Sequence, residues 1–167
     1  MRPWMWWALG GAVLVLAVGG GTAAVIYYAQ TEETKANEAA YGPAIAAAEK
    51  KYSLPGNLLH RLLYEESHFR TDIIDGVTRS TTGATGIAQF EPATADQFGI
   101  DPTDPYQSID AAAHYLAQLF RQFGSWEEAV AAYNWGPGNV AHKGLDRAPR
   151  ETRTYVADIL GDVTVPA

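Results

Sequence analysis

The chain's 167 residues, 47% hydrophobic and 19% charged, suffice for one modest globular domain with an accessory segment and not for two full domains. A net charge of -7, with no run of lysine or arginine to track phosphates, argues against nucleic acid as a partner and leaves an uncharged glycan compatible. The absence of cysteine excludes a disulfide framework, a thiolate nucleophile and a zinc-thiolate site.

The first predicted element is apolar. Trp4 to Ala29 runs 26 residues without a charge, enough to cross a bilayer core, with Trp4, Trp6 and Trp7 at one end and Tyr27 and Tyr28 at the other, like interfacial aromatic belts. The run is long for a cleaved signal peptide and no clean small-x-small site precedes the polar region, so residues 1–30 read as an uncleaved transmembrane helix. Arg2 and the terminal amine before the span, against Glu32 and Glu33 after it, place the N-terminus in the cytoplasm and the rest of the chain on the periplasmic or extracytoplasmic side. Residues 31–42 are polar and alanine-rich and fit a linker, either a short tether or the frayed start of a helix.

From Pro43 the spacing is helical, with Ala44, Ile45, Ala48 and Tyr52 on one side and Pro43 suited to an early helix position. "SLPGN" breaks the chain before a leucine-rich helix that ends in two glutamates, "LLHRLLYEESHF". "TDIIDGVTRSTTGATG" predicts an extended loop or small β-hairpin, and "EPATADQFG" a short helix opened by Pro92 and stopped at Gly99. Ile109, Ala113, Leu116, Phe120 and Phe123 mark a strong amphipathic helix ended by Gly124. Ser125 and Glu128 form a capping box for the next helix, which stops after Trp135, and a last helix covers Glu151 to Leu160. About six short helices around a cleft are expected, mainly α with one irregular or hairpin insertion.

The chemistry starts at Glu66. In a helix, Leu59, Leu62, Leu63 and Glu66 share one stripe, whereas Glu65 lies about 100° away, one turn after Arg61, on a side that reaches water. A carboxylate on a buried stripe loses hydration, which favours its neutral form and makes a general acid. The plain alternative is a structural pair with Arg70, one turn on.

Four strings weigh on that choice by their joint order and spacing: "EESHF" (65–69), "GATGIAQFEPATA" (83–95), "AYNWGPGNV" (132–140) and "ETRTYV" (151–156). Together they resemble the successive motifs of the soluble lytic transglycosylases, a peptidoglycan-cutting family with a goose-lysozyme-like fold. The resemblance implies a lysozyme-like helical domain over residues 43–161, followed by a tail of 162–167. It implies that Glu66 is the catalytic acid and that Ser67, Gln89, Tyr133, Asn134 and Tyr155 contact substrate, with Gly86, Glu151 and Trp135 in support. Beside those roles stand plainer ones: a helix-end bond for Ser67, a turn for Gly86, core packing for Tyr133, and either a sugar platform or a core anchor for Trp135. Glu91 departs from the family pattern, which more often has an apolar residue there.

Ordinary glycosidases use two carboxylates. No second acid sits in a matching motif here; Asp72 and Asp75 qualify by sequence proximity alone. The family reading is that Glu66 alone protonates the bond between N-acetylmuramic acid and N-acetylglucosamine and then acts as base, giving a 1,6-anhydromuramoyl product. The rivals are a goose-type lysozyme that uses water and a non-catalytic glycan-binding module. The four histidines form no metal motif and no acidic string has calcium-loop spacing, so no metal or cofactor is expected. The expected partners are peptidoglycan strands, a membrane, and a larger envelope or virion assembly.

Overall fold

A computed structural model describes residues 22–161 and 163 of the chain. The first element, α1 (Thr22–Tyr52), is one continuous 31-residue helix with Pro43 in its interior rather than its first turn. Residues 31–42 are therefore helix, continuous with the start of the domain. Alanine, glutamate and lysine, which dominate that stretch, are strong helix formers, and α1 is also held laterally along α2, α3 and α5. Of the expected anchor, residues 4–21 lie outside the described residues. Among the described residues no helix is long and apolar enough to cross a membrane.

After the "SLPGN" break comes α2 (Leu58–Ser67), in which Leu58, Leu59, Leu62 and Leu63 are completely buried. The helix opens from Asn57 in the left-handed region (φ 71°), whose side chain makes no capping bond. Its first amides are capped from α1: Glu49 accepts from Leu59 N at 2.9 Å and His60 N at 3.3 Å on one oxygen, and from Asn57 N at 3.1 Å on the other. A carboxylate at a helix N-terminus satisfies orphan donors and complements the helix dipole.

The short α3 (Thr71–Ile74) leads into the insertion before α4 (Pro92–Phe98). No strand forms among the described residues; a single antiparallel bridge joins Thr85 and Phe90, so the irregular form of the two expected is found. Gly76, Gly83 and Gly86, all at positive φ, interrupt any regular alternation.

The remaining helices are α5 (Pro105–Phe123), α6 (Trp126–Trp135), α7 (Pro137–Lys143) and α8 (Arg150–Leu160), with a 3-10 turn at Leu145–Arg147. The described domain thus has more helices than the six expected, the extra ones being the short α3 and α7. Pro105 and Gly124 bound α5, whose Ile109, Ala113 and Leu116 are buried as the periodicity predicts, while Phe120 and Phe123 pack at the core's margin. Ser125 accepts from Glu128 N at 3.1 Å, the predicted cap of α6. α5 lies against α1 and α6, and α8 against α2 and α6. That arrangement brings the end of α2 to α8.

Candidate active site

Glu66 is on the last turn of α2 and only 8% exposed, the end of the leucine stripe as the periodicity places it. Tyr155, completely buried on α8, donates from its hydroxyl to Glu66 Oε1 at 2.5 Å, a short hydrogen bond. The alternative partner is engaged elsewhere. Arg70 holds Asp72 through two bonds of 3.0 and 2.8 Å, and Asp72 also accepts from Thr78. Asp75 is exposed at the end of α3.

Glu65 faces a different environment. It is half-buried, and loss of hydration together with the nearby Asp158 carboxylate pushes its carboxyl above the ordinary range, with Arg61 opposing. The two adjacent glutamates are thus separated by the helix itself.

The turn after Glu66 is strained. Ser67 is fully buried; its hydroxyl donates to Leu63 O at 2.9 Å and accepts from Phe69 N at 3.2 Å, which is the helix-end role. His68 and Phe69 both lie in the left-handed region, at φ 51° and 52°. For non-glycine residues that conformation costs about 1–2 kcal/mol each. Side-chain and backbone bonds and the complete burial of Phe69 hold it. Asn37, on α1, donates to Phe69 O at 2.9 Å and to Thr71 Oγ1 at 3.0 Å, and Glu33 accepts from Thr71 N at 3.0 Å. Loss of hydration and the Arg70 guanidinium depress the His68 imidazole below its ordinary value.

A second group of the predicted residues lies in the tight turn between Thr85 and Phe90. Thr85 N donates to Phe90 O and Gln89 N to Gly86 O, and both Gly86 (φ 81°) and Gln89 (φ 49°) are left-handed. A Cβ on Gly86 would stand 1.7 Å from the Pro102 carbonyl oxygen, so glycine is required there by close approach to Pro102. Gln89 is buried and donates an amide N–H to Gly86 O at 2.9 Å. Tyr133 on α6 donates to Ala88 O at 2.9 Å and so ties this turn to the helical core.

A third group lies where the end of α6 meets the start of α8. Asn134 is buried and its Oδ1 accepts from Thr152 Oγ1 at 3.0 Å. Thr152, itself buried, had no role in the sequence reading, although it sits inside the "ETRTYV" string. Glu151 lies one turn before Tyr155, the i to i+4 spacing that shares a helix face. Its Oε1 is buried with no hydrogen-bond partner, and burial raises its carboxyl above the ordinary range. Trp135 is half-buried, with the Lys143 ammonium 5.1 Å from the centre of its ring. Glu91 is half-buried at the start of α4.

The structure therefore brings Glu66 and Tyr155 into direct contact, joins Tyr133 to the Gln89 turn, and fixes Asn134 through Thr152. Glu49 and Asn37, which hold the two ends of α2, lie outside the recognised strings and carry no local signal.

A family model described as "Transglycosylase SLT domain" matches residues 43–156. Among similar proteins is a "Membrane-bound lytic murein transglycosylase F" of Desulfosudis oleivorans (strain DSM 6200 / JCM 39069 / Hxd3), 32% identical over 108 residues, covering 60% of this chain and 23% of that protein. The "X polypeptide" of Escherichia coli (strain K12) is 29% identical over 119 residues, 67% of each chain. Among solved structures, the X-ray structure of an inactive mutant of lytic transglycosylase Slt from Pseudomonas aeruginosa resembles the fold with a TM-score of 0.61 and 30% identity, over 72% of this chain and 23% of that one. The chain thus spans less than a third of the length of these transglycosylases.

Proposed function

This chain belongs to the Transglycosylase SLT domain family, and from that premise we propose that it is a peptidoglycan lytic transglycosylase with Glu66 as its sole acid and base. The observation that carries the reading is the buried Glu66 held by the Tyr155 hydroxyl at 2.5 Å. With Tyr155 donating to Oε1, the exchangeable proton sits on Oε2. Burial favours the neutral carboxyl and the tyrosine bond favours the carboxylate; a group that must first give and then take a proton needs the two in balance.

In the first step the Oε2 proton passes to the glycosidic oxygen between N-acetylmuramic acid and N-acetylglucosamine, and the C1–O bond breaks. The muramoyl N-acetyl carbonyl shares the positive charge left at C1. In the second step Glu66 removes the proton from the muramoyl C6 hydroxyl, whose oxygen bonds to C1. The 1,6-anhydro ring closes, the acid is restored and no water enters. Gln89, Asn134 and Tyr133 frame the saccharide, with Tyr133 acting through the Ala88 carbonyl.

We assign the apolar run Trp4 to Ala29 as a membrane anchor with the domain facing the wall, supported by its length and by the membrane-bound relatives. The same placement suits a component of a larger envelope or virion assembly. The test is mass spectrometry of purified peptidoglycan digested with the full chain in detergent. Anhydromuramoyl ends support the lyase, and reducing ends would assign a goose-type hydrolase. Glu66→Gln should abolish both; undiminished clearance by that variant would remove the enzyme reading altogether.

A further inference from the structure

The turn that follows the proposed acid is held from the part of α1 that precedes the family-matched residues 43–156. His68 and Phe69 are consecutive left-handed residues beyond the end of α2, so the Phe69 carbonyl needs a partner from outside that helix. Asn37 supplies the partner from 32 residues earlier in the chain, at 2.9 Å, and with the same amide nitrogen reaches Thr71 Oγ1 at 3.0 Å. Glu33, one turn before Asn37 on α1, accepts at 3.0 Å from the N–H of Thr71, the first residue of α3. At the other end of α2, Glu38 pairs with His60 at 2.8 Å. The polar stretch of α1 before Pro43 therefore lies along the element that presents Glu66.

We propose that Asn37 is a positioning residue for the reaction, clamping the left-handed turn at Phe69 so that Glu66 meets the Tyr155 hydroxyl in its reactive orientation. The proposal rests on the assignment of Glu66 as the acid. Its mechanism is indirect: Asn37 touches neither the saccharide nor the carboxyl. Without its donor, Phe69 O has to turn toward water, and the strained pair relaxes toward ordinary backbone angles. The last turn of α2 moves with it, because Ser67 is bonded to both Leu63 O and Phe69 N. A displacement well below the length of a bond matters little for packing. It matters greatly for a proton transfer.

The experiment uses the full chain with Asn37→Ala and Asn37→Asp; the second keeps the size but loses both N–H donors. Each is assayed on purified peptidoglycan strands, alone and combined with Tyr155→Phe, alongside thermal melts. We expect kcat to fall about 10- to 100-fold with KM within about twofold, because the loss is one of orientation and not of binding. We also expect the combination with Tyr155→Phe to be little slower than Tyr155→Phe alone, because both act on the same carboxyl. Wild-type kcat in either variant overturns the proposal. So does a loss that multiplies independently with that of Tyr155→Phe, or one that merely follows the fraction unfolded in the melts. Failure of the wild-type chain itself to cut peptidoglycan would instead overturn the assignment of Glu66.

Discussion

Tyr155 and Glu66 stand 89 residues apart in the chain and share one hydrogen bond, so a single oxygen atom tests the site. Tyr155→Phe keeps the buried ring and removes only the donor. Turnover should fall about 100-fold, the usual scale for loss of one well-placed donor, with the melting temperature within about 3 °C of wild type. Unchanged kcat would detach the tyrosine from the chemistry. Glu65 offers a control on the neighbouring side chain. Its folded carboxyl is raised above the ordinary value of 4.5, so the folded state holds that proton more tightly than the unfolded chain does. Its stabilising contribution is complete below 4.5 and is lost as pH rises through the folded value. Glu65→Gln should therefore melt higher than wild type at pH 7.5, with the difference gone by pH 4; equal melts at pH 7.5 would refute this. The burial of Glu66 was legible in the sequence because its three- and four-residue spacing continues the leucine stripe. The helix-end bond of Ser67 and the turn at Gly86 were among the sequence's alternatives, but their partners, Phe69 N and Pro102 O, are set by backbone turns that side-chain patterns do not encode.

Among the elements, α2 depends most on its neighbours. Ten residues make a marginal helix, and Asn57, the residue before it, provides no side-chain cap. Glu49 fills that gap with three accepted bonds. Glu49→Ala would strand buried amides and should lower stability by about 2–4 kcal/mol, read as a drop of about 10 °C in a circular dichroism melt. A shift under 2 °C would show that solvent or another group takes over the cap. Helices with local start and stop signals were readable from the sequence: Pro105 and Gly124 around α5, Ser125 and Glu128 opening α6, Pro92 and Gly99 around α4. Where the signal lies in another segment the reading fails. Residues 31–42 carry no apolar stripe, so the sequence left tether and helix start as alternatives; they are helical, with Glu33, Asn37 and Glu38 finding polar partners on α2, α3 and the turn between them. The hairpin alternative failed for the opposite reason, since left-handed glycines interrupt the stretch that had to alternate.

For the whole molecule, the absence of cysteine makes orientation directly measurable. Val77 is 81% exposed in the insertion, and a Val77→Cys chain carries one accessible thiol. In intact spheroplasts a membrane-impermeant maleimide should label it before lysis; labelling only after lysis would reverse the proposed topology. α1 gives that topology a mechanical consequence. Ala29 closes the apolar run, and Asn37 already grips the turn after Glu66, eight helical residues further on, about 12 Å of rise. In that topology, a head on so short and stiff a stalk would not swing as one on a leash does. Under the proposed topology and function it would work at a fixed height above the lipid, on whichever strands pass within that thin layer.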